Sequence, residues 1–196
     1  MPYLGTDFFA RETITVARDL IGSILVVGHC EGRIVEVEAY TTDAASHAVI
    51  RRNQAASMRE TYGQVYVYFT YGMYYCLNFT TERGGTGAVL IRAAEPLKGI
   101  EEMSGRRRTS KLKNLASGPG KLCQAFGINL DLNGKRIGKE IKLRARTTEP
   151  TVLSSVRIGI SQATDLEWRF YERDNPFVSP HPKSIRSDAG GFRKSG

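Results

Sequence analysis

The sequence predicts an α+β fold: a single domain with a curved, mixed or antiparallel β-sheet, flanked by helices, and a protruding β-hairpin. Its 196 residues are enough for one domain with a substantial core. Short apolar segments of strand length fill much of the chain, and a tyrosine-rich segment at 65–78 is divided by a Tyr-Gly turn. We therefore assign residues 1–183 to one domain and expect 184–196, which are polar, basic and glycine-rich, to be a disordered tail.

The first part of the chain predicts one helix and two strands. Apolar residues at helical spacing predict a helix over residues 7–21, and strands follow at 24–27 and 33–40. In the second strand, alternate side chains face opposite sides of the sheet. One face carries Val35, Val37 and Ala39, and the other carries Ile34, Glu36, Glu38 and Tyr40. Residues 41–64 are polar and predicted to be irregular.

The tyrosine-rich segment comes next and is predicted to be the hairpin. Its turn is Thr70-Tyr71-Gly72-Met73, where the glycine permits a positive φ. A strand is predicted over 88–94 and a short helix over 97–103. Pro119 and Gly127 frame a further helix over 121–126. The last third predicts strands at 141–143, 156–160 and 168–171.

The charge is positive and unevenly distributed. The net charge is +8, and residues 104–121 hold six basic residues and no acidic one. Such a local excess favours a polyanionic partner such as nucleic acid, although a basic run can also be a solvated loop.

Several other classes of protein are disfavoured. The three cysteines and three histidines are too scattered for a metal site, and the odd cysteine count argues against a disulfide framework. We therefore expect no metal, no cofactor and a reducing, cytoplasmic location. The sequence has no secretory signal pattern and no apolar stretch long enough for a membrane, so we expect no membrane partner. We also expect a monomer.

Two charged residues are candidates for catalysis. Glu38 lies two residues from Tyr40, and a carboxylate beside aromatic surface is suited to act as a general base. Glu36 shares its face, so the pattern alone does not choose between them. Arg92 lies inside an apolar strand and needs a carboxylate or a phosphate partner. The alternatives are a solvent-facing glutamate and a salt bridge at the rim.

Aromatic residues form a second group of candidates. Tyr40, His47, Tyr68 and Tyr71 have the composition of a pocket that stacks an extruded base, and electron-rich rings attract cationic purines. Cross-strand packing is the alternative interpretation for any strand tyrosine. The segment Ser117-Gly118-Pro119-Gly120-Lys121 lacks the spacing of a nucleotide-triphosphate loop, but its helix N-terminus could bind a backbone phosphate.

Together, these residues resemble the alkyladenine (3-methyladenine) DNA glycosylase family. The similarity covers nearly all of the chain except its C-terminal end. The motifs that carry it are ARDLIG at 17–22, IVEVEAY at 34–40, ASH at 45–47, the hairpin at 65–78, LIRAAEP at 90–96, SGPGKLCQA at 117–125 and RIGI at 157–160.

The resemblance implies roles for the site residues. Glu38 would be the general base that activates water for attack on the sugar C1′, and Arg92 would hold both the water and the glutamate. Tyr40 and His47 would pack on one side of the flipped base, with Tyr68 on the other. Tyr71 would fill the gap in the duplex. Asn78 would form the pocket floor, with Ile158 and Gly159 in its wall. The expected DNA-backbone contacts are Gly120, Lys121, Arg106, Arg107, Arg108 and Lys111.

The implied activity is monofunctional hydrolysis of the N-glycosidic bond of damaged purines in double-stranded DNA, without a lyase step. The expected substrates are 3-methyladenine, 7-methylguanine, hypoxanthine and ethenoadenine, and the expected setting is the bacterial nucleoid. A non-catalytic nucleic-acid-binding module on the same fold, and an RNA-directed enzyme, are the alternatives.

Overall fold

The structure is a computed structural model that describes residues 2–50 and 56–180. Eight strands form one curved sheet, in which β3, β4, β5, β2, β1 and β6 are neighbours in that order and β8 pairs with β2 and β7. The strands are β1 Ile24–Val27, β2 Cys30–Tyr40, β3 Val65–Thr70, β4 Tyr74–Thr81, β5 Gly87–Lys98, β6 Ile141–Arg144, β7 Val152–Ser155 and β8 Arg169–Glu172. Every strand pairing is antiparallel, so the α+β class is confirmed and the mixed variant is not found in the described residues.

Six short α-helices of the described residues accompany the sheet. They are α1 Thr6–Phe9, α2 Thr13–Leu20, α3 His47–Ile50, α4 Ser57–Glu60, α5 Ile100–Arg107 and α6 Pro119–Phe126. The apolar faces of α2 and α6 join one face of the sheet in the main core, where Leu20, Phe79 and Phe126 are almost fully buried. No helix of the described residues is long and apolar enough to cross a membrane.

Strand β2 contains a bulge that changes the predicted alternation. Its register against β5 shifts around Glu36. Ile34 therefore joins Val37 in the main core, whereas Val35 packs against Phe177 in a separate cluster. The prediction was wrong for Ile34 and Val35, because a bulge adds a residue that strict period-2 counting does not include. Beyond the bulge, Glu38 and Tyr40 do face away from the core.

The hairpin of β3 and β4 is confirmed, with its turn at the predicted residues. Tyr71 and Gly72 have φ of 51° and 66°, and the Met73 amide donates to the Thr70 carbonyl. Two successive positive φ values give the turn type that suits the twist of a hairpin. The Tyr71 side chain is 79% exposed at the tip.

Four predicted segments differ in the structure. Residues 41–64, which were predicted to be irregular, contain the short helices α3 and α4. The helix over 7–21 is two helices, because the Glu12 side chain accepts from the Thr15 amide and so begins α2 anew. The helix over 97–103 starts later, at Ile100, since β5 continues to Lys98 and Gly99 takes φ of 72°. Residues 156–160 form a loop and not a strand. The predicted tail at 184–196 lies outside the described residues.

Candidate active site

A cavity of about 520 Å³ opens on the face of the sheet that lies opposite the main core. Side chains of β2, β3, β4 and β5 line it together with α3 and the loop that follows β7. Nine residues predicted from the sequence line this cavity: Glu38, Tyr40, His47, Tyr68, Tyr71, Asn78, Arg92, Ile158 and Gly159. Strand alternation therefore collects chemically active side chains on one face while their neighbours pack in the core.

Glu38 lies at the foot of the cavity, and its carboxylate is held from three sides. Its Oε2 accepts from the Tyr40 hydroxyl at 2.8 Å. Its Oε1 accepts from the Ile158 amide at 2.7 Å and lies 3.1 Å from Arg92 Nη1. The side chain is fully buried within the protein. The solvent-facing interpretation of this glutamate is therefore wrong.

Glu36 lies behind the cavity and does not line it. Its Oε1 accepts from Arg92 Nε at 2.8 Å, from Arg169 Nε at 2.7 Å and from the Ser179 hydroxyl at 2.8 Å. Its Oε2 accepts from the Ser179 amide at 2.7 Å. Burial alone would raise the pKa of Glu36, but the charges of Arg92 and Arg169, together with the hydrogen bonds from Ser179 and Arg169, outweigh it and hold the pKa below its usual value.

Arg92 joins the two carboxylates. It is 7% exposed, so the rim salt bridge considered from the sequence is wrong. Its Nε binds Glu36 and its Nη1 binds Glu38. Burial would lower the pKa of Arg92, but Glu38 and Glu36 raise it above its usual value, so the guanidinium stays charged. The arrangement fixes a cation beside the carboxylate that faces the cavity.

Aromatic rings form the sides of the cavity. The His47 and Tyr68 rings are in contact, with centroids 4.3 Å apart and planes at 60°, and His47 Nδ1 lies 3.0 Å from the Tyr66 hydroxyl. Burial and the charge of Glu38 raise the pKa of Tyr40, and burial with the neighbouring Cys76 thiol raises that of Tyr68. Both phenols therefore stay neutral. The contact between His47 and Tyr68 leaves no room for a base between these two rings in this arrangement.

Asn78 and the loop after β7 complete the cavity. The Asn78 side chain is buried, and its Nδ2 donates to the carbonyls of Tyr66 at 3.0 Å and Cys76 at 3.4 Å, which fixes the orientation of the amide. In the loop, Ile158 turns its amide toward Glu38, and Gly159 has φ of 77°.

The rim carries the hairpin tip and the start of α6. Tyr71 and Pro119 both line the mouth of the cavity. A Cβ on Gly120 would lie 2.9 Å from ring atoms of Tyr74, so the glycine allows the hairpin to pack against the helix. Lys121 is half-buried beside it.

The other predicted DNA-backbone residues divide into two groups. Arg106 donates to the Ala125 carbonyl at 2.9 Å and pairs with Glu102, and Arg107 donates to the Leu115 carbonyl at 3.1 Å and binds Gln124. These two guanidinium groups therefore join α5 to α6 within the protein. Arg108 and Lys111 are exposed and form no ion pair with the described residues.

Sequence reasoning missed three groups that contact Glu38 or Glu36, which are the Ile158 amide, Arg169 and Ser179, and it gave Arg157 no role. The local sequence contains no signal for Ser179, which contacts Glu36 across 143 positions of the chain. Arg157 gave only a weak signal, as a charged residue in a predicted apolar strand. No group of three or more His, Cys, Asp or Glu residues that could hold a metal is found in the described part of the chain.

Comparisons with known proteins show the family of this chain. The model of the methylpurine-DNA glycosylase family matches residues 7–176. A protein of Prosthecochloris aestuarii is 47% identical over 185 residues, which cover 88% of this chain and 89% of the relative. A relative from Rhizobium etli is 44% identical, over 88% of this chain and 86% of its own length. A relative from Methanoculleus marisnigri is 43% identical, over 90% of this chain and 98% of its own length. All three are provisionally named 3-methyladenine DNA glycosylases.

The family match extends over most of the chain and includes the strands, the hairpin and the loop that build the cavity. It therefore favours a catalyst over a non-catalytic nucleic-acid-binding module. The chain belongs to the methylpurine-DNA glycosylase family and is a DNA glycosylase, a DNA-repair enzyme that hydrolyses N-glycosyl bonds in DNA.

Proposed function

We propose that the enzyme flips damaged purines out of double-stranded DNA and hydrolyses their N-glycosidic bond, leaving an abasic site and no strand break. The proposed substrates are 3-methyladenine, 7-methylguanine, hypoxanthine and ethenoadenine. The observation that carries the proposal is the buried carboxylate of Glu38 at the foot of an aromatic cavity, held by Tyr40, Ile158 and Arg92.

Glu38 acts as the general base. A water molecule attacks C1′ of the sugar and gives a proton to the carboxylate, while the bonding electrons of the C1′–N bond leave with the purine. The anionic carboxylate also stabilises the positive charge that develops on the sugar in such reactions. Arg92 holds Glu38 in place through Nη1 and is itself held by Glu36 through Nε.

The aromatic rings bind the flipped base. Tyr40 and His47 stack on one side and Tyr68 on the other, so the His47 ring must first move away from the Tyr68 ring that it contacts. The faces of these rings attract a cationic purine more than a neutral one, which favours 3-methyladenine and 7-methylguanine. Asn78 at the floor disfavours the exocyclic amino group of normal guanine, and Ile158 and Gly159 form the wall.

The rim binds the duplex. Tyr71 is a mostly exposed ring on a tight turn beside the cavity, and it fills the gap left by the extruded nucleotide. Gly120, Lys121, Arg108 and Lys111 contact backbone phosphates. Arg106 and Arg107 contribute long-range positive charge, since their guanidinium groups bind protein acceptors.

We further propose that residues 1–183 form the catalytic domain and that the enzyme acts as a monomer in the cytoplasm, at the bacterial nucleoid. It needs neither a metal nor another cofactor, because the base and the cation that the reaction uses are side chains of this chain.

The test is a panel of duplexes, each with a single lesion, incubated with excess enzyme. We expect release of the free base and an alkali-sensitive abasic site from the four lesion duplexes, and no release from an unmodified duplex. Strand cleavage before alkali treatment would reject the monofunctional mechanism. Faster release from matched RNA duplexes would favour an RNA-directed enzyme, and binding without release from every lesion would reject the proposed reaction.

A further inference from the structure

A buried ion pair lies behind the wall of the cavity and has no role in the reaction described above. Arg157 Nη2 lies 2.7 Å from Asp43 Oδ1, and Nη1 lies 3.2 Å from Oδ2, with side-chain exposures of 0% and 5%. Burial would raise the pKa of Asp43, but the hydrogen bonds and charge of Arg157 outweigh it and keep the pKa below its usual value. The pair is therefore ionised at neutral pH.

Stability alone explains this pair poorly. Removing two charges from water commonly costs more free energy than their mutual attraction returns. A fold with apolar side chains of similar volume in their place is often equally stable. In addition, Arg157 Nε is buried without a hydrogen-bond partner among the described residues. An unpaired buried donor destabilises a fold. The pair is therefore better explained by the geometry that it imposes on the segments around it.

Arg157 connects three segments that surround the cavity. Its Nη1 donates to the Ala39 carbonyl at the end of β2, at 2.9 Å. Asp43 lies in the segment that leads to His47 and also accepts from the amides of Thr41 and Ala45. Arg157 Nη2 lies 3.4 Å from the carbonyl of Ala163, which comes just after the loop residues 158–162 that line the cavity.

Arg157 also contacts two aromatic rings. Its guanidinium lies 4.6 Å from the ring centroid of Tyr40 and 5.2 Å from that of Trp168. A guanidinium over a ring is attracted by the ring face and restricts the ring. Tyr40 is the residue whose hydroxyl donates to Glu38.

Two separate routes therefore run from Arg157 to Glu38, one to each carboxylate oxygen. The first goes through the Tyr40 ring to the hydroxyl that binds Oε2. The second goes through the next residue of the chain, since the Ile158 amide binds Oε1 at 2.7 Å. A displacement of the arginine would disturb both hydrogen bonds at once.

We propose that Arg157, paired with Asp43, is a positioning residue for hydrolysis: it sets the orientation of Glu38 through Tyr40 and the Ile158 amide and touches neither substrate nor water. This inference rests on the proposed role of Glu38. The ion pair therefore affects the rate of the chemical step and not the affinity for DNA.

The main variant is Arg157→Lys, which keeps the charge but loses the planar fork that binds Asp43 and stacks on Tyr40. Asp43→Asn is a second variant with nearly the same shape. The matched control is Arg146→Lys. Arg146 also binds a carboxylate through two nitrogens, Glu149 at 3.0 and 2.6 Å, and donates to a backbone carbonyl, that of Asp19 at 2.9 Å, but does not line the cavity.

Three quantities are measured for each variant. They are the melting temperature, the affinity for the lesion duplex from which wild type releases the base fastest, and the single-turnover rate of base release from that duplex. The rate is measured with saturating enzyme, well below the melting temperature. The single-turnover rate reports the reaction of bound, folded enzyme, so a purely structural role does not change it. A small displacement of a catalytic group can cost roughly 100-fold in rate.

We expect Arg157→Lys and Asp43→Asn to lower this rate by roughly 10- to 100-fold, with affinity close to wild type and the control unchanged in rate. The double variant should lose less than the product of the two single losses, because both remove one contact. If Arg157→Lys does not fold, the release rate of Asp43→Asn alone decides the test.

Rates equal to wild type in both variants, while Glu38→Gln loses activity, would overturn this inference and leave the proposed function intact. A Glu38→Gln variant as fast as wild type would instead reject Glu38 as the general base, which is the role on which this inference rests.

Discussion

Glu36 and Glu38 lie two residues apart on one strand, yet their surroundings give them different properties. Glu36 accepts from two arginines and from the amide and hydroxyl of Ser179, whereas Glu38 faces the cavity. Alternation along the strand predicted that they share a face, but it could not choose between them. The choice depends on Arg169 and Ser179, which are 133 and 143 positions away in the chain.

The pKa of Glu36 makes stability depend on pH. Its pKa in the folded state lies below the reference value of 4.5, so the ionised form stabilises the fold above pH 4.5. This contribution is lost as the pH falls from 4.5 through the folded-state pKa. Glu36→Gln should therefore lower the free energy of unfolding by about 3 kcal/mol at pH 7, and by less in acid.

Denaturant unfolding of wild type and Glu36→Gln at a series of pH values between neutrality and acid checks this. Glu95→Gln is the control, since that partly exposed carboxylate lies 3.9 Å from its arginine partner. A difference between wild type and Glu36→Gln that stays constant across the pH series would contradict the assignment of the charge to Glu36.

The hairpin and the loop after β7 differ in how far local sequence determines them. The hairpin was predicted with its turn, because Gly72 beside Tyr71 permits two successive positive φ values. The loop at 156–160 was predicted as a strand, because its apolar residues have strand periodicity. Its actual shape follows from the contacts of Arg157 with Asp43 and Ala39, which no local pattern reveals.

Tyr71 tests the role of the hairpin. Tyr71→Ala should weaken binding to a lesion duplex by roughly 1–3 kcal/mol, because an aromatic ring stacked against bases contributes about that much. The melting temperature should hardly change, since the side chain is 79% exposed. Fluorescence anisotropy with a labelled duplex measures the affinity.

Tyr3→Ala is a matched control, as Tyr3 is also exposed, at 56%, and does not line the cavity. Equal affinities of wild type, Tyr3→Ala and Tyr71→Ala would mean that the hairpin tip does not enter the duplex.

The basic residues that were predicted to contact DNA fall into two groups. Sequence composition predicted a basic surface for DNA but could not distinguish exposed cations from cations that bind the protein. Arg106 and Arg107 join α5 to α6, whereas Arg108 and Lys111 are exposed without an ion pair in the described part of the chain. The fold class was predictable because strand alternation and turn chemistry are local. The set of cavity residues followed from the resemblance to the family, since alternation alone did not choose between Glu36 and Glu38.

The salt dependence of DNA binding separates the two groups of cations. Lys111→Ala and Lys121→Ala should each reduce the slope of log affinity against log salt by about 1, because each phosphate contact releases one counterion. Arg106→Ala should lower the melting temperature, since it removes the contacts with Ala125 and Glu102, and it should change the slope less than the two lysine variants do.

Lys142→Ala is the control for this series, because β6 lies at the opposite end of the sheet order from the hairpin strand β3. A slope that none of the lysine variants changes would contradict the proposed phosphate contacts.

The most direct measurement is the single-turnover rate of base release by Glu38→Gln, with the enzyme in saturating excess over a lesion duplex. The amide keeps the shape of the side chain but cannot take a proton from water. We expect duplex affinity close to wild type and a release rate lower by roughly 10²- to 10⁴-fold, the usual contribution of a general base. A release rate equal to that of wild type would contradict the account, because it would mean that Glu38 does not activate the attacking water.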